Sequence, residues 1–515
     1  MDIGDGPPSP VASALSATFG TRPGWRVGAL LAIAAVAVLG VVTLGSKPIW
    51  IDEAYSAEAA RLSLRRLFDV ERVESDGLFA YYLLLKGLGG LARSDVGLRW
   101  PSLVAAAGAV PLGWAATRRL LGRAGAVIAA AVFALHPLLI QYGQEARPYA
   151  LEVFASIGAV FLLRRCVAVD GLPARFAAWS LSGVVMILLH PTGALVIAAQ
   201  LMALTAAVGW RGLLARWTGL VSGAVAAAAI LGPVFILTTS GQAFTTPTVR
   251  IVAGVAAHIA GGTAVGAVPV AALLALGCVV LVRRGWAAST PADRLDALVW
   301  PSMLVVPPVL ALVASPVLGA FAIRYFAVST MPFAVVAVAA LSALRPRARP
   351  VALAGLVVCL VAGQVAWLRS SSKDDWRAMA TLVLGTAPAT ARPPGMVFVA
   401  PFSRIGFEHE LLRRGPGASA TVTPMLPSQP WGDAIRPKVH HERQDAERLG
   451  EALGGTDRVW FAIAYAEQDS TDGSATDGVV APVITTTIEA AGLRLSAVTQ
   501  LDGIVLRRYD RPITP

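Results

Sequence analysis

Charge is scarce in this chain: Asp, Glu, Lys and Arg make up 15% of its 515 residues, against about 25% in soluble globular proteins. That deficit excludes a soluble multi-domain enzyme. Cysteine is scarcer still. Cys166, Cys278 and Cys359 all lie in or at the edge of apolar runs, with no pair at metal-binding spacing. They read as small apolar residues, which leaves neither a disulfide framework nor a zinc site. There is no P-loop, no Gly-x-Ser-x-Gly elbow, no dinucleotide fingerprint and no His-x-x-x-His. Nucleotide-driven chemistry is therefore unsupported, no cofactor is implied, and a divalent metal has no ligand spacing to hold it.

What the chain has instead is apolar residues, 56% of the total, gathered in blocks of roughly 16–24, the length that crosses a hydrocarbon core of about 30 Å as helix. Open sheets cannot span lipid, so the spans must be helices. Eleven blocks are clear: 27–45, 101–117, 124–141, 148–163, 176–190, 192–208, 214–237, 262–282, 297–314, 321–343 and 350–368. A twelfth, 78–92, is broken by Lys86 and three glycines. The expected fold class is an all-α polytopic membrane protein of about 11 transmembrane helices. The first 26 residues are rich in Pro, Gly and Ser and are expected to be a disordered cytoplasmic N-terminus. Val27–Leu44 lacks an Ala-x-Ala cleavage pattern and reads as a retained span.

The net charge of +11 comes from small arginine clusters at the ends of apolar blocks, where they act as orientation signals rather than nucleic-acid contacts. If 78–92 does not cross, sixteen arginines fall on one side, and the short loops of the other hold only Arg147, Arg250 and Arg324. If it does cross, that asymmetry is lost. The positive-inside rule thus favours eleven spans, a cytoplasmic N-terminus and an external C-terminus, with 78–92 an interfacial helix. The transmembrane domain is 27–368, including a first external loop at 46–100, and an extracytoplasmic domain is 369–515. Gly395–Pro401, Arg458–Tyr465 and Gly503–Tyr509 read as strands, Trp376–Leu384 and His441–Leu453 as helices, and 466–477 as a mobile loop. A small α/β domain follows.

This topology puts four polar groups on the outer face. Asp52 and Glu53 follow the first span. They either start a helix, where acids suit the dipole, or supply a general base. Gln141–Leu151 carries Glu145, Arg147 and Tyr149, which form either an interfacial belt with a local ion pair or part of a site. Arg324, beside Tyr325, either snorkels or binds phosphate with its planar fork. His190 is either a cap and packing residue or a site residue.

At these residues the chain resembles the C-type membrane glycosyltransferases, in the bacterial branch related to protein O-mannosyltransferases and the lipid A aminoarabinose transferase. Asp52-Glu53 matches the acidic signature of that family, and Arg99-Trp100-Pro101-Ser102-Leu103 its Arg-x-Pro-Ser segment before the second span. Gln144-Glu145-Ala146-Arg147-Pro148-Tyr149-Ala150-Leu151 matches its second-loop motif closely. His190-Pro191-Thr192-Gly193 is a looser match, and Arg324-Tyr325 with Pro332 fits a late-span pattern. Lys373-Asp374-Asp375-Trp376-Arg377 resembles the segment that opens the external domain. The likeness covers roughly 27–400 as an ordered series. One departure stands out: Ser75-Asp76-Gly77-Leu78 replaces the frequent His-Pro-Pro-Leu.

The resemblance implies a C-type glycosyltransferase fold and transfer of a sugar, mannose favoured, from a polyprenyl-phosphate donor in the bilayer to a glycan, lipid or protein acceptor of the cell envelope. The leaving phosphate is already ionised, so the reaction needs a base for the acceptor hydroxyl and positive charge at the phosphate. Asp52, with Glu53 beside it, is the expected base, giving inversion. Arg147, Arg324 and Lys86 are the phosphate candidates, and Glu145, Tyr149, His190 and Tyr325 the orienting groups. The rival readings are a phosphotransferase or ligase acting on lipid-linked glycans, and a lipid or polysaccharide transporter. A transporter should place ionisable residues near span midplanes, where this chain has almost none.

Overall fold

The computed structural model describes residues 9–20, 23–74, 78–168, 173–215, 221, 223–224, 248–262, 264–318, 321–369, 374–386, 392–399, 403–428, 430–431, 442–464 and 476–512. They divide into two compact units. One comprises Met1–Leu44, Ser75–Tyr81 and Arg99–Arg369, the other Gly45–Glu74, Tyr82–Leu98 and Ser370–Pro515.

The first unit is helical and apolar. Among the described residues, six helices are long and apolar enough to cross a membrane: Arg26–Thr43, Gly193–Leu214, Gly266–Ala287, Pro291–Ser315, Ile323–Ala343 and Ala348–Arg369. The pair Asp95–Ala134 and Pro137–Gly143, bent by 59°, makes a seventh if it is one span. Tyr149–Ala168 and Pro173–Leu189 occupy the expected spans at 148–163 and 176–190. The expected span at 214–237 lies almost wholly outside the described residues. Phe79–Gly87, within the ambiguous block, is nine residues long. At 1.5 Å per residue such a helix rises about 14 Å, less than half of a hydrocarbon core.

Two breaks shape this unit. Gly122, at φ 71°, interrupts Asp95–Ala134 and separates the two spans expected there. A Cβ on Gly122 would meet the Cβ of Ala12 at 2.9 Å. The contact belongs to the helix Pro10–Leu15, capped by Ser9, whose Oγ also donates to Leu120 O at 2.8 Å. Leu15 and Phe19 are buried, and Arg349 donates to Ala14 O and Thr18 Oγ1. Residues 10–20, expected to be disordered from composition, are thus ordered by a cap, two apolar anchors and one guanidinium.

The second break is at His136. Its Nε2 lies 3.0 Å from Ile259 O, its Nδ1 accepts from Leu138 N, and Gln364 Nε2 donates to Leu135 O at 2.6 Å. Backbone groups freed by a break at membrane depth cost several kcal/mol unless re-paired, and these side chains re-pair them. Trp179 donates to Gln200, which donates on to Ser156 O, an interhelical polar link among apolar spans. Thr330–Ala343 is buried nearly all round, as a helix apolar on every face must be.

The second unit is built on a five-stranded sheet: β1 (Gly395–Phe398), β2 (Thr423–Leu426), β3 (Arg458–Ala464), β4 (Arg494–Leu501) and β5 (Ile504–Asp510), in the order β2-β1-β3-β5-β4. β1 runs parallel to β2 and β3, while β5 is antiparallel to β3 and β4. Central β1 and β3 are apolar on both faces because both are covered. Phe398, Trp460, Leu506 and Trp376 pack on one face, and Val397, Phe461, Leu449 and Ile488 on the other. Asp375 caps Trp376–Gly385 through Ala378 N, and its own N–H donates to Asp502 O in the β4–β5 turn. Gly503 adopts φ 69° there, and a Cβ would strike Asp374. Three strands and two helices match the expectation. β2, β4 and the helices Arg404–Arg414 and Thr476–Ala490 add to it, while Lys373 and most of 466–477 lie outside the described residues.

Candidate functional site

Within the membrane unit, three separated segments meet in one buried polar cluster. The short helix Pro137–Gly143 carries Tyr142, and Tyr149 begins the next helix. Their rings meet edge-on at 5.0 Å. Tyr149 faces His190 at 5.3 Å, and His190 faces Tyr325 at 5.2 Å. The Arg324 guanidinium lies 5.7 Å from the Tyr325 ring centre. Arg147 and Arg324 are both close enough to act electrostatically on His190, as are Glu145 and Arg324 on Tyr142.

The loop from Gln144 to Pro148 is short and buried, with Glu145 2% and Arg147 7% exposed. Its conformation is held from neighbouring helices. Ser102 Oγ donates to Arg147 O at 2.9 Å, Thr43 Oγ1 donates to Gln144 Oε1 at 3.2 Å, and Gln141 Nε2 reaches Glu145 Oε1 at 3.5 Å. Arg99, buried, donates to Leu44 O at 2.7 Å. The Arg-x-Pro-Ser residues therefore set the loop that presents Arg147. Two guanidinium groups beside a row of aromatic faces are an arrangement that could hold an anion, and burial strengthens such charges relative to water.

Two residues the sequence reading passed over complete this region. Thr192 Oγ1 lies 2.6 Å from His190 Nδ1 and 2.8 and 3.0 Å from the two carboxyl oxygens of Glu152. Glu152 is 1% exposed and sits in the first turn of an apolar helix, where an acid reads as an ordinary dipole residue.

Asp52, Glu53 and Lys86 belong to the other unit. The helix Ile51–Arg61 has Asp52 and Glu53 in its first turn. Glu53 is fully buried and accepts from Trp50 N at 3.4 Å, a reciprocal capping contact. Asp52 is partly exposed. Adjacent helical side chains point about 100° apart, so the two acids have different surroundings: Glu53 closes the helix end and is buried, while Asp52 is partly exposed. Lys86 Nζ donates to Leu62 O just past the end of the same helix.

Within that unit the helix Ile51–Arg61 packs on Arg404–Arg414. There His409, 1% exposed, places Nε2 3.3 Å from Asp95 Oδ1 and Nδ1 3.7 Å from Glu58 Oε1. Arg377 holds the other Asp95 oxygen at 3.0 Å, and Arg61 holds Glu58 at 2.6 Å. Burial alone would lower the His409 pKa, but hydrogen bonding and the charges of Asp95 and Glu58 raise it above the usual 6.5. No group of three or more His, Cys, Asp or Glu able to hold a metal occurs among the described residues.

Comparison with solved structures places this architecture. The crystal structure of ArnT from Cupriavidus metallidurans in the apo state matches with a TM-score of 0.56, covering 94% of this chain and 98% of that one at 15% identity. The crystal structure of the same protein bound to undecaprenyl phosphate matches with a TM-score of 0.54, covering 93% and 97% at 14% identity. The chain thus has the C-type membrane glycosyltransferase fold expected from its ordered motifs. No protein-family model and no curated protein matches the chain.

Proposed function

We propose that this protein is an inverting membrane glycosyltransferase that moves a sugar, mannose favoured, from a polyprenyl-phosphate donor to a glycan, lipid or protein acceptor of the cell envelope. The observation that carries the reading is the meeting of Arg147, Arg324, Tyr149, His190 and Tyr325 from three distant segments of an apolar unit. A fold shared with ArnT, whose structure has been solved with undecaprenyl phosphate, supports the same donor class. A phosphate bound there is stabilised by two charge-assisted contacts as it departs, and the polyprenyl chain remains in the bilayer.

Asp52 takes the proton of the acceptor hydroxyl as the oxygen attacks the anomeric carbon and the bond to phosphate breaks. Glu53 caps the helix that carries it. Lys86 is a secondary phosphate candidate, and Glu145 and Tyr325 orient the ligand. The topology that goes with this is eleven spans, with residues 1–26 cytoplasmic, 27–368 the transmembrane domain and 369–515 extracytoplasmic. The arginine asymmetry and the short helix Phe79–Gly87 support it.

The test is incubation of the purified full chain in lipid nanodiscs with polyprenyl-phosphate mannose, arabinose and glucose separately, with a cell-envelope extract as acceptor. Transfer is expected from one donor, mannose first. Absence of transfer from all three by folded protein would remove the reading.

A further inference from the structure

The hydrogen bonds around His190 determine where its proton sits. The backbone N–H of Thr192 can only donate, and it reaches His190 Nδ1 at 3.2 Å. Nδ1 is therefore an acceptor, and the ring is a neutral imidazole with its proton on Nε2. The Thr192 hydroxyl, 2.6 Å from the same Nδ1, directs its single hydrogen there. Toward Glu152, whose two carboxyl oxygens lie at 2.8 and 3.0 Å, Oγ1 must then accept from the one oxygen that carries a proton. Glu152 is accordingly a carboxylic acid that donates to Thr192. Its surroundings agree: it is 1% exposed and forms no ion pair among the described residues, where a carboxylate would be desolvated without a counter-ion.

The chain of donors runs from Glu152 to Thr192 to Nδ1, and it ends at an Nε2–H that has no hydrogen-bond partner among the described residues. His190 is 7% exposed, lies between the Tyr149 and Tyr325 rings, and is within electrostatic reach of Arg147 and Arg324. An open donor beside two cations is suited to an anionic oxygen. Because the imidazole is neutral, it adds a hydrogen bond without adding a third positive charge to repel the other two.

We infer that Glu152 and Thr192 are positioning residues that hold His190 as a neutral imidazole, its Nε2–H donated to a phosphate oxygen of the lipid-linked donor. This rests on the proposed transfer reaction for the identity of the ligand, but the state of the ring can be read without turnover.

The experiment uses the full chain, with 15N-labelled histidine, in nanodiscs, His190 being assigned by the signal lost in His190→Gln. The wild-type signal is expected to be that of the Nε2–H tautomer from pH 6 to pH 8, and to shift on adding undecaprenyl phosphate but not on adding the same concentration of inorganic phosphate. A proton on Nδ1, a protonated ring at neutral pH, or a signal that ignores undecaprenyl phosphate overturns the inference. A shift caused by inorganic phosphate alone overturns the lipid assignment.

Transfer kinetics give the second readout. Thr192→Val removes one of two donors to Nδ1 and is expected to raise the donor KM about tenfold, whereas Thr192→Ser restores it to within about threefold. Glu152→Gln keeps an N–H to donate to Thr192 and is expected to stay within about threefold of wild type. Glu152→Leu loses the donor and should follow Thr192→Val. A tenfold or greater loss in a folded Glu152→Gln variant would mean that an anion is needed there, contrary to the inference. If the ring responds to undecaprenyl phosphate but no sugar is transferred, the reaction proposed above fails while the ring assignment stands.

Discussion

His190 and His409 are both buried, at 7% and 1% exposure, yet they are held in opposite ways. In the apolar unit His190 is surrounded by hydroxyl, amide and aromatic groups, and the carboxyl of Glu152 reaches it only through Thr192. In the sheet-bearing unit His409 sits directly between Asp95 and Glu58, each of which also has an arginine. The first arrangement keeps the ring neutral and leaves one N–H for a ligand. The second sets the ring between two carboxylates in a network joining the helix Ile51–Arg61 to Arg404–Arg414, and this raises its pKa. An apolar environment penalises isolated charge, so the charges of that unit need an answering group, which the proposed reading supplies as the phosphate of the donor. Outside it, paired charges can serve as structural ties.

The largest effect expected from this contrast is at Asp52, on the helix that the ion-pair network braces. Asp52→Asn keeps the size of the side chain but removes the base, and transfer should fall about 10²–10⁴-fold in protein that is purified and folded normally. Glu53→Gln should be milder in rate, since its contact is with Trp50 N. Transfer rates with thermal stability in parallel measure both. A wild-type rate in Asp52→Asn with loss in Glu53→Gln would exchange their roles.

Next come the charges of the membrane unit. Arg147→Ala and Arg324→Ala should each weaken donor use by about tenfold or more, the loss of a charge-assisted contact of about 1.5–3 kcal/mol. Lysine at either position should rescue only in part, because the bidentate fork is gone. Donor titrations of the four variants check this, and full activity in both alanine variants would shift the phosphate site toward Lys86.

The smallest effect separates the two histidines by pH. His409 has a raised pKa in the folded protein, so its contribution is complete below about 6.5, the ordinary value, and is lost as pH climbs through the higher folded value. Thermal stability of the wild type should decline over that window. His409→Gln should melt lower at pH 6, by a loss of about 1–3 kcal/mol, and show a flatter profile. His190→Gln should leave the profile above about 6.5 unchanged, since a neutral ring takes up no proton there in either state. Identical pH profiles for wild type and His409→Gln would mean that the ring carries no charge in the network.

Much of the fold could be read from residue order. Apolar runs located most helices of the membrane unit, and the runs Gly395–Phe398 and Arg458–Ala464 were legible as strands because covering on both faces makes them continuously apolar. β2 is four residues with a proline, and edge strand β4 is largely exposed, so neither produces such a run. The order at 10–20 depends on Gly122 and Arg349, more than 100 positions away, which no local pattern reveals.

The candidate site was legible as motifs but not as a network. Arg147, Tyr149, His190 and Arg324 stood out as polar residues at span ends. Glu152 and Thr192 did not, since each suits a helix terminus. His409 lies in Arg-Ile-Gly-Phe-Glu-His-Glu-Leu-Leu-Arg-Arg, whose charge density suggests a solvated face, yet the residues from Arg404 to Leu411 are buried. Their partners are distant in sequence, and only tertiary packing supplies them.

The proposed chemistry is tested most directly by the anomeric configuration of the product. Purified protein in nanodiscs is given a β-linked polyprenyl-phosphate sugar that it accepts, and the linkage formed on the acceptor is determined by NMR. A single displacement assisted by Asp52 predicts an α linkage, with the same linkage formed far more slowly in Asp52→Asn. A β linkage would require a second displacement through a covalent intermediate and would contradict the role of Asp52 as base.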